Sequence, residues 1–207
     1  MLEHVPHWLG QALGKVRAGA DKLAIASVPA DVPPLELTSP AFANGARLPV
    51  RFTADGEGVS PPLTWGQAPP GTACLALLVE DADAPLPQPV VHALVWGIPA
   101  DAGRLEEGAI VRDGAGGEEG DVGLNTYGRE GWLPPDPPTG HGEHRYAFQL
   151  FALGPGPEPA ASPGRAALLD AMAGRILAAG VLTGIYSRGE GSEAGVADGT
   201  ALGGALA

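Results

Sequence analysis

The sequence predicts a single mainly β domain, loop-rich, with a helix near each end. Three observations lead there. Residues 73–80 and 90–98 are nearly apolar on both alternating faces, which is the pattern of central strands covered on both sides, and residues 144–153 form a further strong strand. Glycine (32 residues) and proline (22) are abundant, yet they fall between the apolar runs as punctuation and show no periodic repeat, so they mark turns in a folded chain. A length of 207 residues with 44% apolar residues suits one domain with a sizeable core and extra terminal segments.

The charge balance narrows the function classes. A formal net charge of −12 repels phosphate backbones and anionic lipid surfaces at long range, which argues against nucleic-acid binding and stable membrane-surface binding. It leaves room for a local anion site inside a pocket. Cys74 is the single cysteine, so no intramolecular disulfide forms, and its apolar neighbours read as strand core. No apolar run approaches the ~18 residues that span a membrane, and the N-terminal apolar positions are too interrupted for a signal peptide, so a cytoplasmic location is expected.

In chain order, Val5, Leu9, Ala12, Leu13, Val16, Ala20 and Leu23 recur at helical spacing and predict a helix over 5–24, weakened by Gly10, Gly14 and Gly19. This helix needs a surface, either its own domain or a second copy of the chain. Residues 26–34 read as linker, closing an N-terminal extension at residue 34. Short strands follow at Leu35–Thr38 and Leu48–Thr53, with Asn44-Gly45 and Asp55-Gly56 as turns and an extended segment from Ser60 to a core Trp65. The glycine-rich acidic stretch 101–121 reads as solvated loop. Its Gly114-Ala115-Gly116-Gly117 is not a phosphate loop, because no Lys-Ser/Thr follows and Glu118, Glu119 and Asp121 surround it.

The Gly/Pro-rich segment 123–143 is long for a loop in a compact domain, which favours a functional role. A helix is predicted over 163–179, with Ser162 as N-cap, Leu169, Met172 and Ile176 as its buried stripe, and Gly180 as its end. A last strand is expected over Thr183–Ser187, and a mobile tail of glycine, alanine and acidic residues over 189–207. The main domain is therefore 35–188.

Candidate chemistry gathers at strand ends. Asp81 and Asp83 end one apolar strand, while His92 and His144 stand near the starts of two others. In antiparallel neighbours these ends meet. By strict alternation His92 shares a face with Leu94 and Trp96, and His144 shares one with Tyr146, Phe148 and Leu150. Two imidazoles and a phenol donate hydrogen bonds to phosphate or carboxylate, while an aspartate orients a histidine or accepts an ammonium. His141, Glu143, His144, His92 and Asp81 are metal-ligand types, but their spacing matches no strong zinc motif and His141 is expected to be exposed, so no metal or other cofactor is assigned. No Gly-x-Ser-x-Gly supports serine hydrolysis.

The ordered motifs resemble the phosphatidylethanolamine-binding protein family, which includes Raf kinase inhibitor-like proteins, in its bacterial and archaeal branch. The residues that carry this are Asp81-Ala82-Asp83-Ala84-Pro85, Val91-His92 and His144-Arg145-Tyr146. Supporting stretches are Leu37–Phe42, Arg51–Gly56, Val59–Trp65 and Pro69–Gly71. The resemblance implies an antiparallel β-sandwich with a small anion pocket at one end. It implies ligand-binding roles for Asp81, His92, His144 and Tyr146, with Pro85 and Pro138 as walls and Asp83 and Arg145 as a supporting ion pair. Ala82 stands where the family usually has proline. Asp136, within Pro134-Pro135-Asp136-Pro137-Pro138, stands where many bacterial members have cysteine and adds a negative charge to the loop.

The function expected is non-catalytic binding of a small anionic or zwitterionic ligand, phosphate or lipid head-group in kind. The alternatives are a protein-interaction module that inhibits a protease or kinase, and more distantly a hydrolase using Asp81 and His92. The N-terminal helix is the candidate contact for a homodimer.

Overall fold

The computed structural model describes residues 7–111 and 120–188. Within them the chain runs α1 (His7–Leu13), β1 (Leu37–Thr38), β2 (Leu63–Trp65), β3 (Cys74–Asp81), β4 (Val90–Ile98), β5 (Arg104–Leu105), β6 (Asp121–Val122), β7 (His144–Leu153), α2 (Arg165–Met172) and β8 (Ile176–Tyr186), with three short 3-10 turns. Five strands form one antiparallel sheet in the order β6-β4-β3-β7-β8, and β1-β2-β5 form a smaller one.

The long strands are those with apolar residues on both faces, because both faces of the large sheet are covered. Leu75, Leu77, Val79, Phe148 and Leu150 pack toward Leu37, Leu63 and Trp65 of the small sheet. Ala76, Leu78, Leu94, Trp96 and Phe151 pack on the other side against Leu168 and Met172 of α2 and Ala24 of a 3-10 turn. The result is a β-sandwich whose larger sheet carries a helical layer on its outer face.

Three predicted elements differ. The helix expected over 5–24 stops at Leu13, and the chain turns at Gly19 (φ 108) into 3-10 turns at Ala20–Lys22 and Ala24–Ser27. Its amide groups bond to the domain in place of a helix: Ala18 N–H donates to Ala84 O, Gly19 N–H to Ala82 O, and Ala24 N–H to the buried Glu80 carboxylate (each 2.9 Å). The stretch Leu48–Thr53 is not a strand. Val50–Phe52 form a 3-10 turn that buries Phe52, and Thr53 Oγ1 donates to Val50 O at 2.8 Å.

The helix expected over 163–179 covers only Arg165–Met172, with Leu168, Ala171 and Met172 as its buried side. Gly174 sits at φ 71, a conformation that favours glycine and ends the helix, so 176–186 are released to form β8. Gly164 holds the N-cap position, while the Ser162 hydroxyl bonds Glu130. The stretch 114–117 and the tail after Gly189 lie outside the described residues.

Candidate functional site

The order β4-β3-β7 decides where the charged strand ends meet. Asp81 pairs with Val90 across one ladder and with Tyr146 across the other, so the end of β3 lies between the starts of β4 and β7. A cavity of about 930 Å³ opens there, lined by Asp81, His92, His144 and Tyr146, with Pro85 and Pro138 among its walls. All six residues expected to contact a ligand therefore border one space.

His92 reaches it by a route that alternation misses. The β3–β4 register is Val79↔Ala93 and then Glu80↔Val91, so β4 carries an extra residue at His92. A bulge of this kind re-aims a side chain. Leu94 and Trp96 pack with Val91 on the outer face, whereas the His92 ring meets Tyr146 edge-on at 5.0 Å and Trp132 at 6.2 Å. The bulge also frees main-chain acceptors for the 123–143 loop: Leu133 N–H donates to His92 O at 2.7 Å and Thr126 N–H to Val91 O at 3.1 Å. In the other direction, His92 Nδ1 donates to Leu133 O at 2.6 Å. That bond fixes the neutral tautomer and leaves Nε2 as a bare acceptor, buried and without a hydrogen-bond partner. Burial pushes the His92 imidazole below its usual value, against the pull of the Asp81 carboxylate.

His144 is placed differently. Its Nδ1 lies 2.7 Å from Asp81 Oδ2, and its Nε2 lies 2.7 Å from His141 Nδ1. His141 Nε2 in turn donates to Leu13 O of α1 at 2.9 Å. His141 is buried, not exposed as its proline-glycine surroundings suggest, because α1 covers it. Burial and the neighbouring His144 push the His141 imidazole below its usual value. Both nitrogens of His144 are thus engaged, and the ring borders the cavity without a free N–H. Tyr146 is fully buried, and burial together with Asp81 pushes its phenol well above the usual value, so it remains an O–H donor.

Asp83 and Arg145 stand behind this group. Alternation turns Arg145 away from His144 and Tyr146, where its Nε and Nη2 grip the two oxygens of Asp83 at 2.7 Å each. Arg17 adds a contact to Asp83 Oδ1 at 2.8 Å. Burial raises the Asp83 carboxyl, but the bonds from Arg145 and Arg17 outweigh it and hold it at about 2. The charge of Asp136 does not stand alone in the loop. Its carboxylate pairs with Arg188, whose guanidinium also grips Asp55 at 2.6–2.9 Å.

Leu13 and Arg188 were missed from sequence, and His141 was weighed only as a metal-ligand type. His141 carried one signal, its place three residues before His144. Leu13 acts through its main chain, which no side-chain motif records.

Comparison with known proteins agrees with this architecture. Residues 38–187 match the family model described as phosphatidylethanolamine-binding protein. A UPF0098 protein of Methanothermobacter thermautotrophicus is 40% identical over 158 residues, covering 75% of this chain and all of the relative. One from Aquifex aeolicus is 37% identical, covering 74% of this chain and 89% of the relative. Among solved structures, a phosphatidylethanolamine-binding protein homolog from Chlamydia trachomatis superposes with a TM-score of 0.68 at 33% identity, covering 75% of this chain and 99% of that one. E. coli YbcL, described as a member of the mammalian PEBP family, gives 0.69 at 29% identity, covering 74% and 98%. Residues 7–34, which brace the site, precede the matched segment, and no helix among the described residues is long and apolar enough to cross a membrane. With nearly three quarters of its length matched and the pocket strands inside the match, the chain belongs to the phosphatidylethanolamine-binding protein family.

Proposed function

We propose that the chain is a non-catalytic small-ligand binding module whose cavity takes an anionic or zwitterionic head group, phosphate or phospholipid head-group in kind. The observation that carries this reading is the His92 Nε2 atom. Three buried side-chain polar atoms lack a partner among the described residues, and His92 is the one of those residues that lines the cavity. A buried unpaired acceptor costs roughly 1–3 kcal/mol, and a ligand that donates a hydrogen recovers it. A phosphate ester carries such a hydrogen in its monoanionic form, which dominates below its second pKa of about 6, and its dianion can take one up on binding. Tyr146 O–H supplies a donor beside it, and the Asp81–His144 pair supports the head without itself needing the ligand.

Family membership supports the small-ligand reading. The Asp81–His92 hydrolase is disfavoured by the geometry, because Asp81 is engaged with His144 and His92 is oriented by a main-chain carbonyl.

Calorimetric titration with phosphate, phosphoethanolamine and acetate tests the proposal. Phosphate and phosphoethanolamine should bind the wild type and lose at least tenfold in affinity in His92→Phe. Equal affinities in the two proteins would remove the role given to Nε2.

A further inference from the structure

The cavity is larger than a head group needs, and its additional wall is built by a segment outside the family match. Pockets of about 300–1,000 Å³ hold drug-sized ligands, so 930 Å³ lies near the top of that range. Leu9 and Leu13 stand four residues apart on one side of α1, and both line the cavity without filling it. The same lining includes the apolar side chains of Leu86, Val90, Trp132 and Leu133.

Several contacts hold α1 in this place. A Cβ on Gly10 would lie 2.1 Å from Thr139 O, so the helix backbone rests directly on the loop. Leu13 O receives the His141 Nε2 hydrogen, and Arg17 Nη1 donates to Glu143 O at 2.8 Å. The apolar wall is therefore fixed to the same loop that ends in His144.

We propose that α1 makes this site selective for amphiphiles: a polar head at His92 joined to a hydrocarbon chain that lies along Leu9 and Leu13. The head placement rests on the proposed function above; the chain placement rests on the wall alone. A hydrocarbon chain is the occupant because Leu9, Leu13, Leu86, Val90, Trp132 and Leu133 give the cavity an aliphatic and aromatic lining, and because they line the same cavity as His92 and Tyr146.

The test uses two series, n-alkyl phosphates and n-alkanols, each from butyl to octyl, titrated against the full chain. In the wild type each added methylene should tighten binding about three- to four-fold until the cavity is filled, the factor for moving one CH₂ out of water. The butyl-to-hexyl step, about tenfold in the wild type, should fall to about threefold or less in Leu9→Ala and Leu13→Ala. Because the ratio is taken within each protein, a general loss of affinity cancels. Leu9→Phe supplies the opposite perturbation and should penalise octyl more than butyl. A flat length dependence in the wild type, or one unchanged by all three substitutions, overturns the proposal. Matching slopes in the two series with no preference for phosphate would overturn the head-group reading and leave the hydrocarbon wall standing.

Discussion

Asp81 Oδ2 and His144 Nδ1 are 2.7 Å apart with both side chains buried, and that contact is the first of three in a row. The second joins His144 Nε2 to His141 Nδ1, and the third joins His141 Nε2 to Leu13 O. Each contact needs one hydrogen, because neither a carboxylate nor a carbonyl can supply it. Two neutral imidazoles carry two hydrogens, so the array holds one more. The burial-lowered His141 fits the neutral ring that donates through Nε2. Proton-detected NMR of the ring nitrogens should show three protected N–H or N–H–O protons at pH 7. Asp81→Asn should remove the one at His144 Nδ1 and leave the others in place.

His92 supplies a second prediction, for pH. Its imidazole is held below the usual value, so it is neutral at pH 7 and accepts a hydrogen at Nε2. The charges around it are the Asp81 and Asp136 carboxylates and His144. A dianionic phosphate brings no hydrogen, and binding it requires uptake of one proton. Affinity should therefore fall between pH 6 and pH 8, by up to tenfold per unit. Calorimetry in buffers of different ionisation enthalpy should show proton uptake approaching one per ligand at pH 8. Affinity that rises with pH would contradict the assignment.

These two relationships also show how far sequence reasoning reached. Strands β3 and β4 were legible because apolar residues on both faces have one explanation, coverage on both sides, and β7 because of its run of aromatic and aliphatic residues from Tyr146 to Leu153. Asp81, His92, His144 and Tyr146 were legible as neighbours because strand ends meet in an antiparallel sheet. The aim of His92 was not legible. A bulge shifts alternation by one residue, and nothing in Val90-Val91-His92-Ala93 marks its position. The burial of His141 was hidden because it depends on α1, 128 residues away in sequence. The boundary between α2 and β8 was misplaced because Ala171–Ala179 suits either state, and the left-handed turn at Gly174 decides it.

The Asp83 cluster supplies a prediction for stability. Its carboxyl is held at about 2 against an ordinary 3.8, a depressed value, so the stabilisation is present above pH 4 and is lost as pH falls toward 2. The shift corresponds to about 1–2 kcal/mol, taking the lower part of the range because Arg145 is half exposed to water. Asp83→Asn should lower the urea midpoint at pH 7 by that amount divided by the m-value. The gap between the two proteins should close as pH falls from 4 to 2. A gap that stays constant would show that packing, not the ion pair, carries the effect.

Gly10 supplies the last prediction, which concerns the attachment of α1. The contact with Thr139 O is backbone against backbone, so no side-chain rotation relieves a Cβ placed 2.1 Å from that oxygen. Gly10→Ala, which elsewhere strengthens a helix by up to ~1 kcal/mol, should here lift α1 from the loop. Lys15 and Arg17 then become a sensitive reporter, since both follow α1 and both are trypsin sites. In the wild type Arg17 is tied to Glu143 O and Asp83, and the amides of Ala18 and Gly19 are bonded to the 82–84 turn. Cleavage requires that this stretch open locally, and its rate follows the population of the open form. A loss of about 1.4 kcal/mol in docking is a tenfold rise in that population. Limited trypsin digestion should therefore cut Gly10→Ala after Lys15 or Arg17 at least tenfold faster, with residues 35–188 intact. An unchanged rate would mean that α1 is held without the close approach at Gly10, by the His141–Leu13 bond and the contacts of residues 17–25.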